Sequence, residues 1–600
     1  MGKEKIKHHI ILLCIISMTI WPFFNINNTV GAYPGPFFTI SILAPNNNQA
    51  RNEWATLMSE QLPRIGIGVD IFDHTDWSEI SPRTFGYPGP YPIPSYIDGG
   101  YDTLCMSWNW GLDYNPYYTF HSNCITPMGD NFYQYDNWLM DHAINNYSLV
   151  THDFEDRLFW AYQIQDILYE DLPSIPIVYK TDLYAHNPDL IGWDPQLWSS
   201  EYQSMYNWSI FGQNELHYAQ SSISNKFHIY TYHTVSEAQW LNQIYTGLIT
   251  RAPNSYNFIP NLAVSCSTTD GLNYSVILHP DAKWADGTPL NTSDIKYSFE
   301  LNNNPLLYND IYLLPYPSIN VTIIDEQNCT IVFDEKIMFP ESMSDLPIMP
   351  KHIWETIPAQ DQEEQAKIWA ETDPSKLIGA GPYYLYNYDS NNDFILLKRN
   401  EHYASWSGNV PKFTEIFFDF YSNKEGALSA LASGAIDIVD SSFSLKYNEI
   451  PPQANFTSVN TGDVEEIAIN MRHPYIGTGT LCPISDPESA KYIRKAISHM
   501  VPRDIIIEEI YDGLGEPGVT PWSNNAVDFN DSLDPYEYAE VNFDTAKYCM
   551  EAAGYRFGPW PTTNPPPTSI TLGAGLSSGI IITLSIISMI AIAYLIRKKR

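Results

Sequence analysis

The feature that most constrains the fold is a helix near the C-terminal end of the chain that has nothing after it to pack against. An amphipathic pattern begins at Asp544 and ends at Gly554, and the following residues 558–569 form a proline-rich linker. A helix of this kind must bury its apolar face against other elements of a fold. The partner elements are therefore expected to come from an earlier part of the sequence.

Both ends of the chain carry patterns typical of export and membrane insertion. Residues 1–32 combine early lysines with an apolar stretch and a small-residue cleavage site, which predicts a signal peptide. Residues 570–596 are apolar enough to cross a bilayer as a transmembrane helix, and the basic tail 597–600 is predicted to remain cytoplasmic. The sequence thus predicts a single-pass protein of the cell membrane with the bulk of its chain extracellular.

The length and the net charge of the chain limit its number of lobes and the kinds of partner that it can bind. With 600 residues the chain suits two or three lobes, and its formal net charge of −37 argues against nucleic acid as a partner. Six cysteines follow the predicted signal peptide; disulfides, with Cys105 and Cys124 the nearest pair, and free buried thiols are both compatible with the sequence. Nine N-x-S/T sequons agree weakly with an exported glycoprotein: Asn27, Asn146, Asn207, Asn273, Asn291, Asn320, Asn328, Asn455 and Asn530.

The periodicity of apolar residues predicts a mixed α/β chain. A strand, a helix and a second strand open the exported part at residues 37–43, 48–62 and 67–72. Residues 194–225 lack clear periodicity and are predicted to be a linker, and the alternating stretch 227–233 is predicted to be a strand.

Five collinear stretches carry a resemblance to a known family. The sequence VILHPDAKWADGTPLNTSDIKYSFE at residues 276–300 resembles the signature of the family 5 solute-binding proteins, the extracellular receptors of dipeptide and oligopeptide ABC importers. Four further stretches match the same family in the same order: residues 346–355, 379–403, 427–439 and 492–518.

The order of the elements differs from that of the family. There, a helix ending in A-A-G-Y is followed by a strand, a helix, I-G-I, another strand and a W-x-x-D-Y-x-P turn. This chain carries those elements at its front, with I-G-I at residues 65–67 and NWGLDYNP at residues 109–116. The resemblance therefore implies a circular permutation, in which about Asn214 to Tyr555 supplies the first two thirds and Tyr33 to Trp208 the remainder. A truncated tandem array whose parts are swapped between chains is the alternative.

The implied fold class is α/β, a two-lobed clamp like the periplasmic binding proteins of type II and their large peptide-binding class, plus the C-terminal transmembrane helix. Residues 33–175 and 451–557 are expected to form the C-terminal-type lobe, residues 226–450 the N-terminal-type lobe, and residues 176–225 a return strand and linker.

The implied function is capture of a small solute, a peptide in the first place, in a cleft between the lobes for delivery to an ABC permease and its ATPase. A sugar ligand, or a tethered receptor that senses or scavenges without transport, are the alternatives. Enzyme motifs such as G-x-S-x-G and H-E-x-x-H are missing from the sequence, so no catalysis, metal or cofactor is expected. The protein is expected to be a monomer, with a swapped dimer as the alternative.

Asp113 is the central candidate of the ligand site, because the resemblance implies that the aspartate of W-x-x-D-Y pairs with the α-ammonium of a ligand. Its neighbours can supply flat apolar walls and cation–π attraction. From the residues alone, Asp113 could equally cap the turn before Pro116, with the aromatic residues in the core. The predicted ligand-binding residues are Asp113, Trp110, Trp108, Tyr114, Tyr232, His233 and Asn470.

Overall fold

The computed structural model describes most of the chain between residues 35 and 558. The described residues are 35–46, 48–110, 114–148, 154–193, 195, 204–221, 224–232, 234–252, 257–307, 319–334, 346–389, 394–533 and 541–558. The predicted signal peptide, transmembrane helix and basic tail lie outside them. Within these ranges, no helix combines the length and apolar character needed to cross a membrane.

The described residues form a mixed α/β fold of seventeen strands and nine longer helices. The strands are β1 (Phe38–Pro45), β2 (Ile67–Thr75), β3 (Thr103–Asn109), β4 (Ser174–His186), β5 (Glu215–Gln220), β6 (Ile249–Arg251), β7 (Phe258–Pro260), β8 (Ala263–Ser267), β9 (Asn273–Leu278), β10 (Ile319–Ile323), β11 (Asn328–Phe333), β12 (Tyr383–Asp389), β13 (Phe394–Arg399), β14 (Glu415–Phe420), β15 (Ile438–Val439), β16 (Asn455–Ile469) and β17 (Gly515–Pro517). The longer helices are α1 (Gln49–Gln61), α2 (Trp138–Tyr147), α3 (Phe154–Asp171), α4 (Val235–Ile244), α5 (Thr292–Asn302), α6 (Gln362–Thr372), α7 (Lys424–Ser433), α8 (Pro487–His499) and α9 (Phe543–Ala552).

One large sheet organises the fold and contains strands from both ends of the chain. Ten of its eleven strands run in the order β12-β13-β14-β5-β15-β4-β16-β3-β1-β2, and β17 pairs with β4. Strand β1 is parallel to β2 and β3, whereas β3 is antiparallel to β16, with Cys105 opposite Ile467. Smaller sheets, β10-β11-β9-β8 and β6-β7, lie apart from it.

The apolar core beside this sheet also joins the two ends of the chain. Trp54 and Met58 of α1 share a core with Ile497 of α8 and Met550 of α9. The ring centroids of Phe37 and Tyr555 lie 4.8 Å apart, and those of Phe37 and Phe557 lie 5.1 Å apart. Helix α9 thus buries its apolar face against the unit formed by β1, α1 and β2, as its amphipathic pattern requires.

Two long antiparallel strands, β4 and β16, connect separate cores, and we call them the connecting strands. Ile175 of β4 and Ile467 of β16 lie in the core that contains α1 and α9, whereas Tyr184 and Val459 lie in the core that contains α4 and α5. The middle of each strand, residues 180–182 and 460–463, is largely half-buried. The register of the β4–β16 ladder also shifts there, between Asn460 and Val464, and an interrupted ladder between two cores is suited to act as a hinge.

Two predictions of secondary structure were wrong. Residues 227–232 are not a strand: Phe227, Ile229 and Tyr230 are buried, but the chain turns there, with the amide of Thr231 donating to the carbonyl of His228. The strand in this region is instead β5, which lies within the predicted linker 194–225 and pairs with β14 and β15.

The structure also shows the state of the described cysteines and the burial of one sequon. The described cysteines are all free thiols, and Cys105 and Cys124 are both buried without a disulfide. Asn530 is buried, and its side chain donates to Asp166 at 3.1 Å. The folded protein therefore does not present this sequon to solvent.

Candidate functional site

Five of the seven predicted ligand-binding residues lie within the described part of the chain. Asp113 and His233 lie outside the described residues. The other five fall into three separate places in the fold.

Trp108, Trp110 and Tyr114 come together in a stack of rings at the end of β3. The centroids of Trp108 and Trp110 are 5.0 Å apart with an interplanar angle of 19°, and those of Trp110 and Tyr114 are 4.1 Å apart. Trp522 meets Tyr114 edge-on at 4.9 Å. We call these four residues the aromatic wall. Their large, rigid side chains supply apolar contact area with little conformational freedom to lose.

The connecting strand β16 positions this wall. Trp108 lies opposite Val464 in the ladder between β3 and β16. One step further, the amide of Trp110 donates to the carbonyl of Gly462 at 3.3 Å. Gly462 has a positive φ of 77°, a conformation that glycine adopts without steric cost. The wall is therefore fixed to the middle of a connecting strand.

Trp110 carries a polar atom that no described residue satisfies. Its side chain is 7% exposed, and its indole Nε1–H finds no acceptor among the described residues. A buried donor without a partner costs about 1–3 kcal/mol, so such groups are rare in proteins and call for an explanation. An acceptor supplied by a bound molecule is one explanation.

Charged side chains lie on the same middle segments of the connecting strands. Nζ of Lys180 is 3.1 Å from Oδ2 of Asp463. The pKa of Asp182 is raised, mainly because burial removes water from the carboxylate, while Lys180 acts in the opposite direction. Burial likewise raises the pKa of Asp440, next to β15, to about 6. The hinge segment thus holds more carboxylates than cations among these residues.

A buried ion pair ties the front of the chain to β16. Nε of Arg51 in α1 is 2.8 Å from Oε2 of Glu465, and Nη2 of Arg51 donates to Ser107 of β3 at 2.6 Å. Arg51 and Glu465 are both buried. A buried charge needs such a partner, so this pair fixes α1 against β3 and β16.

A second buried glutamate lies beneath the aromatic wall. Glu466 is fully buried and accepts hydrogen bonds from the hydroxyls of Tyr133 and Ser174. The indole Nε1–H of Trp108 donates to the Tyr133 hydroxyl at 2.8 Å. Burial raises the pKa of Glu466 to about 7, against the lowering effect of the hydrogen bonds from Ser174 and Tyr133. A polar chain therefore runs from the wall to a titratable group inside the fold.

Tyr232 lies on the other side of the hinge from the aromatic wall. It is half-buried and packs against the core that contains α4 and α5. It comes just before Thr234, whose side chain caps α4 in a reciprocal capping box with Glu237. Tyr232 and the wall thus belong to two different cores.

Asn470 has its hydrogen bonds taken up by the protein itself. Its Nδ2 donates to the carbonyls of Pro94 and Tyr101 at 3.0 and 2.8 Å, and its Oδ1 accepts from Gln134 at 2.7 Å. Its side chain is fully buried. These contacts favour a structural role for Asn470, in which it fastens the loop after β16 to the segment before β3.

One cluster has the residue types of a hydrolase triad but not the required geometry. Oγ of Ser41 donates to Asp102 at 2.7 Å, and Nε2 of His473 lies 3.6 Å from the same carboxylate. A catalytic serine must instead donate to the histidine. Within the described ranges, no group of three or more His, Cys, Asp or Glu could hold a metal ion. The cluster is thus a structural link between β1, β3 and the loop after β16.

The sequence analysis missed Glu466, Tyr133 and the Lys180–Asp463 pair. The sequence did carry a signal for Glu466, because the stretch VEEIAI places two adjacent acids in an apolar strand. Since adjacent strand residues point to opposite faces, a strand buried on both faces must supply each acid with its own partners.

With this geometry in view, comparison with known proteins decides the family. The sequence profile described as bacterial extracellular solute-binding proteins, family 5 Middle, matches residues 257–573, which is more than half of the chain. The chain belongs to this family. Members of family 5 are binding proteins, so the expectation that this chain is not an enzyme is confirmed.

Curated relatives and solved structures of similar proteins carry related descriptions. A putative ABC transporter peptide-binding protein of Brucella ovis is 25% identical over 325 residues, covering 53% of this chain and 56% of the relative. The oligopeptide-binding protein AppA of Bacillus subtilis is 23% identical over 322 residues, covering 52% of this chain and 54% of the relative. The chain spans little more than half the length of these curated relatives. The crystal structure of AppA with a nonapeptide matches at a TM-score of 0.40 and 18% identity, covering 60% of this chain and 68% of that one.

Proposed function

We propose that this family 5 protein captures a small solute, in the first place a peptide, beside the aromatic wall and delivers it to an ABC importer. The observation that carries the proposal is the buried indole N–H of Trp110, which lacks an acceptor among the described residues and lies in a stack of rings at the hinge. A carbonyl of a bound peptide has the chemistry this donor requires. The descriptions of the relatives as ABC transporter peptide-binding proteins agree with this solute class.

The proposed mechanism is closure of two lobes around the solute. The aromatic wall lies on one core and Tyr232 on another, and the connecting strands between them bend. A solute that contacts both sides favours the closed state through its differential affinity for that state. The permease then distinguishes the closed, loaded protein from the open one.

The proposed solute contacts are Asp113, Trp108, Trp110, Tyr114, Tyr232 and His233. Asp113 follows Trp110 by three residues in the sequence, and we assign it to a cationic group such as the ammonium of a peptide. Asn470 is withdrawn from this set because the protein occupies its hydrogen-bonding groups.

We also infer that the protein is extracellular and anchored by residues 570–596, and that its chain is circularly permuted. The anchor follows from the apolar pattern alone. The permutation is supported by the position of the family match, residues 257–573, and by the packing of the unmatched front segment into the same sheet and core.

Isothermal titration calorimetry with a mixture of synthetic pentapeptides tests the proposed function. We expect Asp113→Asn and Trp110→Phe to weaken binding by about tenfold or more, which corresponds to the loss of one buried hydrogen bond or charge contact of about 1.5 kcal/mol. Trp138→Phe is the matched control, because Trp138 is 73% exposed on α2. Equal binding by all four proteins, or no binding of any peptide by the wild type, would overturn the proposal.

A further inference from the structure

Glu466 differs from its neighbour Glu465 in how its charge is compensated. Glu465 pairs with Arg51 on one face of β16. Glu466 points to the other face, where it meets the hydroxyls of Tyr133 and Ser174 and has no cation among the described residues within ion-pair distance. An ionised carboxylate held only by neutral donors, here two hydroxyls and the nearby indole of Trp108, pays a large desolvation cost, so protonation competes with ionisation at this position.

The groups that surround Glu466 come from several elements and none of them is a cation. Tyr101, which precedes β3, and Tyr114, which follows it, both lie within electrostatic range. Tyr133 comes from the loop before α2 and Ser174 from the start of β4. Glu465 on the same strand, which is itself paired with Arg51, raises the pKa of Glu466 further. The pKa of about 7 follows from this enclosure.

Tyr133 transmits the state of Glu466 to the aromatic wall. Its hydroxyl donates to Glu466 and accepts the indole N–H of Trp108 at 2.8 Å. A hydroxyl that donates to a carboxylate becomes a stronger acceptor, because hydrogen bonds in a chain polarise one another. When Glu466 is protonated, its own O–H must be accepted by one of the two hydroxyls, and the chain rearranges. The hold on Trp108 therefore differs between the two states.

We propose that Glu466 is a positioning residue of the solute site, whose protonation state sets how firmly Tyr133 holds Trp108 and thereby the affinity for the solute. This inference rests on the proposed function, because it assumes that the aromatic wall contacts the solute. The ionised state favours tight binding, since it holds Trp108 more firmly in its stack on Trp110.

The first test needs no solute. We expect the indole ¹⁵N–¹H resonance of Trp108, assigned through Trp108→Phe, to shift in the solute-free protein with a midpoint near pH 7. The shift disappears in Glu466→Gln, whose amide resembles the protonated acid, and in Tyr133→Phe, which interrupts the chain while leaving Glu466 in place. Asp440→Asn is the matched control, because Asp440 is another buried carboxyl with a raised pKa but contacts Gln239 and Ser442 instead.

The second test measures affinity for the pentapeptide mixture at pH 6 and pH 8. We expect the wild type to bind about fivefold more tightly at pH 8, the change expected for strengthening one hydrogen bond, and Glu466→Gln to show a change of less than about twofold. A Trp108 resonance that does not titrate, or that titrates equally in Glu466→Gln, overturns the inference. A titrating resonance with pH-independent affinity overturns the coupling to solute alone, whereas a protein that binds no peptide at any pH overturns the proposed function with it.

Discussion

At the scale of single residues, the two adjacent glutamates of β16 illustrate two ways to bury an acid. Glu465 is paired with the buried Arg51, whereas Glu466 has no such partner among the described residues and its pKa is raised. Each way has a different consequence when a partner is removed or when the pH changes. The two cases lead to separate predictions.

Removing Arg51 should destabilise the protein strongly. Arg51→Met leaves Glu465 buried and unpaired, for which we expect a loss of about 3–5 kcal/mol in the free energy of unfolding. Arg472→Met is the control, because Arg472 pairs with Asp136 at the surface and should change stability by less than about 1 kcal/mol. Urea unfolding followed by circular dichroism measures both. Similar effects of the two variants would contradict the assignment of a buried ion pair.

Glu466 should make stability fall as the pH rises. Its pKa in the folded protein is raised, from 4.5 to about 7. Below pH 4.5 the folded and unfolded states are both protonated, and the contribution is fully present; between 4.5 and about 7 the unfolded state loses its proton first, so the contribution is lost. We expect the wild type, relative to Glu466→Gln, to lose up to about 3 kcal/mol between pH 4.5 and 8. Urea unfolding of both proteins across this range measures the difference, and parallel pH profiles would contradict it.

At the scale of elements, the connecting strands determine where a solute site can form. Strand β16 pairs with β4 on one edge and with β3 on the other, and the backbone of its middle residue Gly462 accepts the amide of Trp110. The same residue therefore lies at the shift in register of the β4–β16 ladder and holds the wall in position.

Gly462→Ala should affect both stability and solute affinity. A residue other than glycine at a φ of 77° costs about 1–2 kcal/mol, and relief of this strain would displace the carbonyl that holds Trp110. Gly434→Ala is the matched control, because Gly434 has a φ of 75° at the end of α7, far from the wall in the sequence. We expect similar losses of stability in thermal unfolding, with a loss of peptide affinity in calorimetry for Gly462→Ala alone. Unchanged peptide affinity in Gly462→Ala would argue against a role of Gly462 in the solute site.

The sequence predicted elements best where local capping decides them. Asp486 and Pro487 stand at the start of α8, and Asn423 and Gly434 cap the two ends of α7, so the sequence itself carries these signals. The sequence misled at residues 227–232, because the alternating stretch FHIYTY imitates a strand, whereas residues 227–231 are all buried in an irregular turn. Strand β5 was missed because its ELHYAQ pattern is too polar for its central position in the sheet.

The site was predictable only in part, for a reason of distance along the chain. Trp108, Trp110 and Tyr114 are close in sequence, so their spacing alone indicated that they could form a wall. The partners of Glu466 lie 333 and 292 residues away, at Tyr133 and Ser174. Pairings of this range depend on the tertiary fold, and no local pattern in the sequence carries them.

At the scale of the whole molecule, the described chain begins and ends at the same place. Phe37 packs against Tyr555 and Phe557, so a short linker could join them without disturbing the core. We therefore expect a chain that joins residue 558 to residue 36 through a glycine-serine linker, and that opens within residues 196–203, to fold like the wild type.

This reordered chain tests the proposed permutation in one experiment. Because every strand of the large sheet keeps its neighbours, its free energy of unfolding should agree with that of the wild type within about 1 kcal/mol, and light scattering should report a monomer for both. Opening the chain within β5 instead should prevent folding, since β5 pairs with β14 and β15 in the interior of the sheet. If the two ends are instead exchanged between chains, the wild type is a dimer and joining its ends within one chain alters its mass. The oligomeric state of the wild type thus separates a permuted single chain from a swapped pair, because only the first can bury α9 against its own front segment at any dilution.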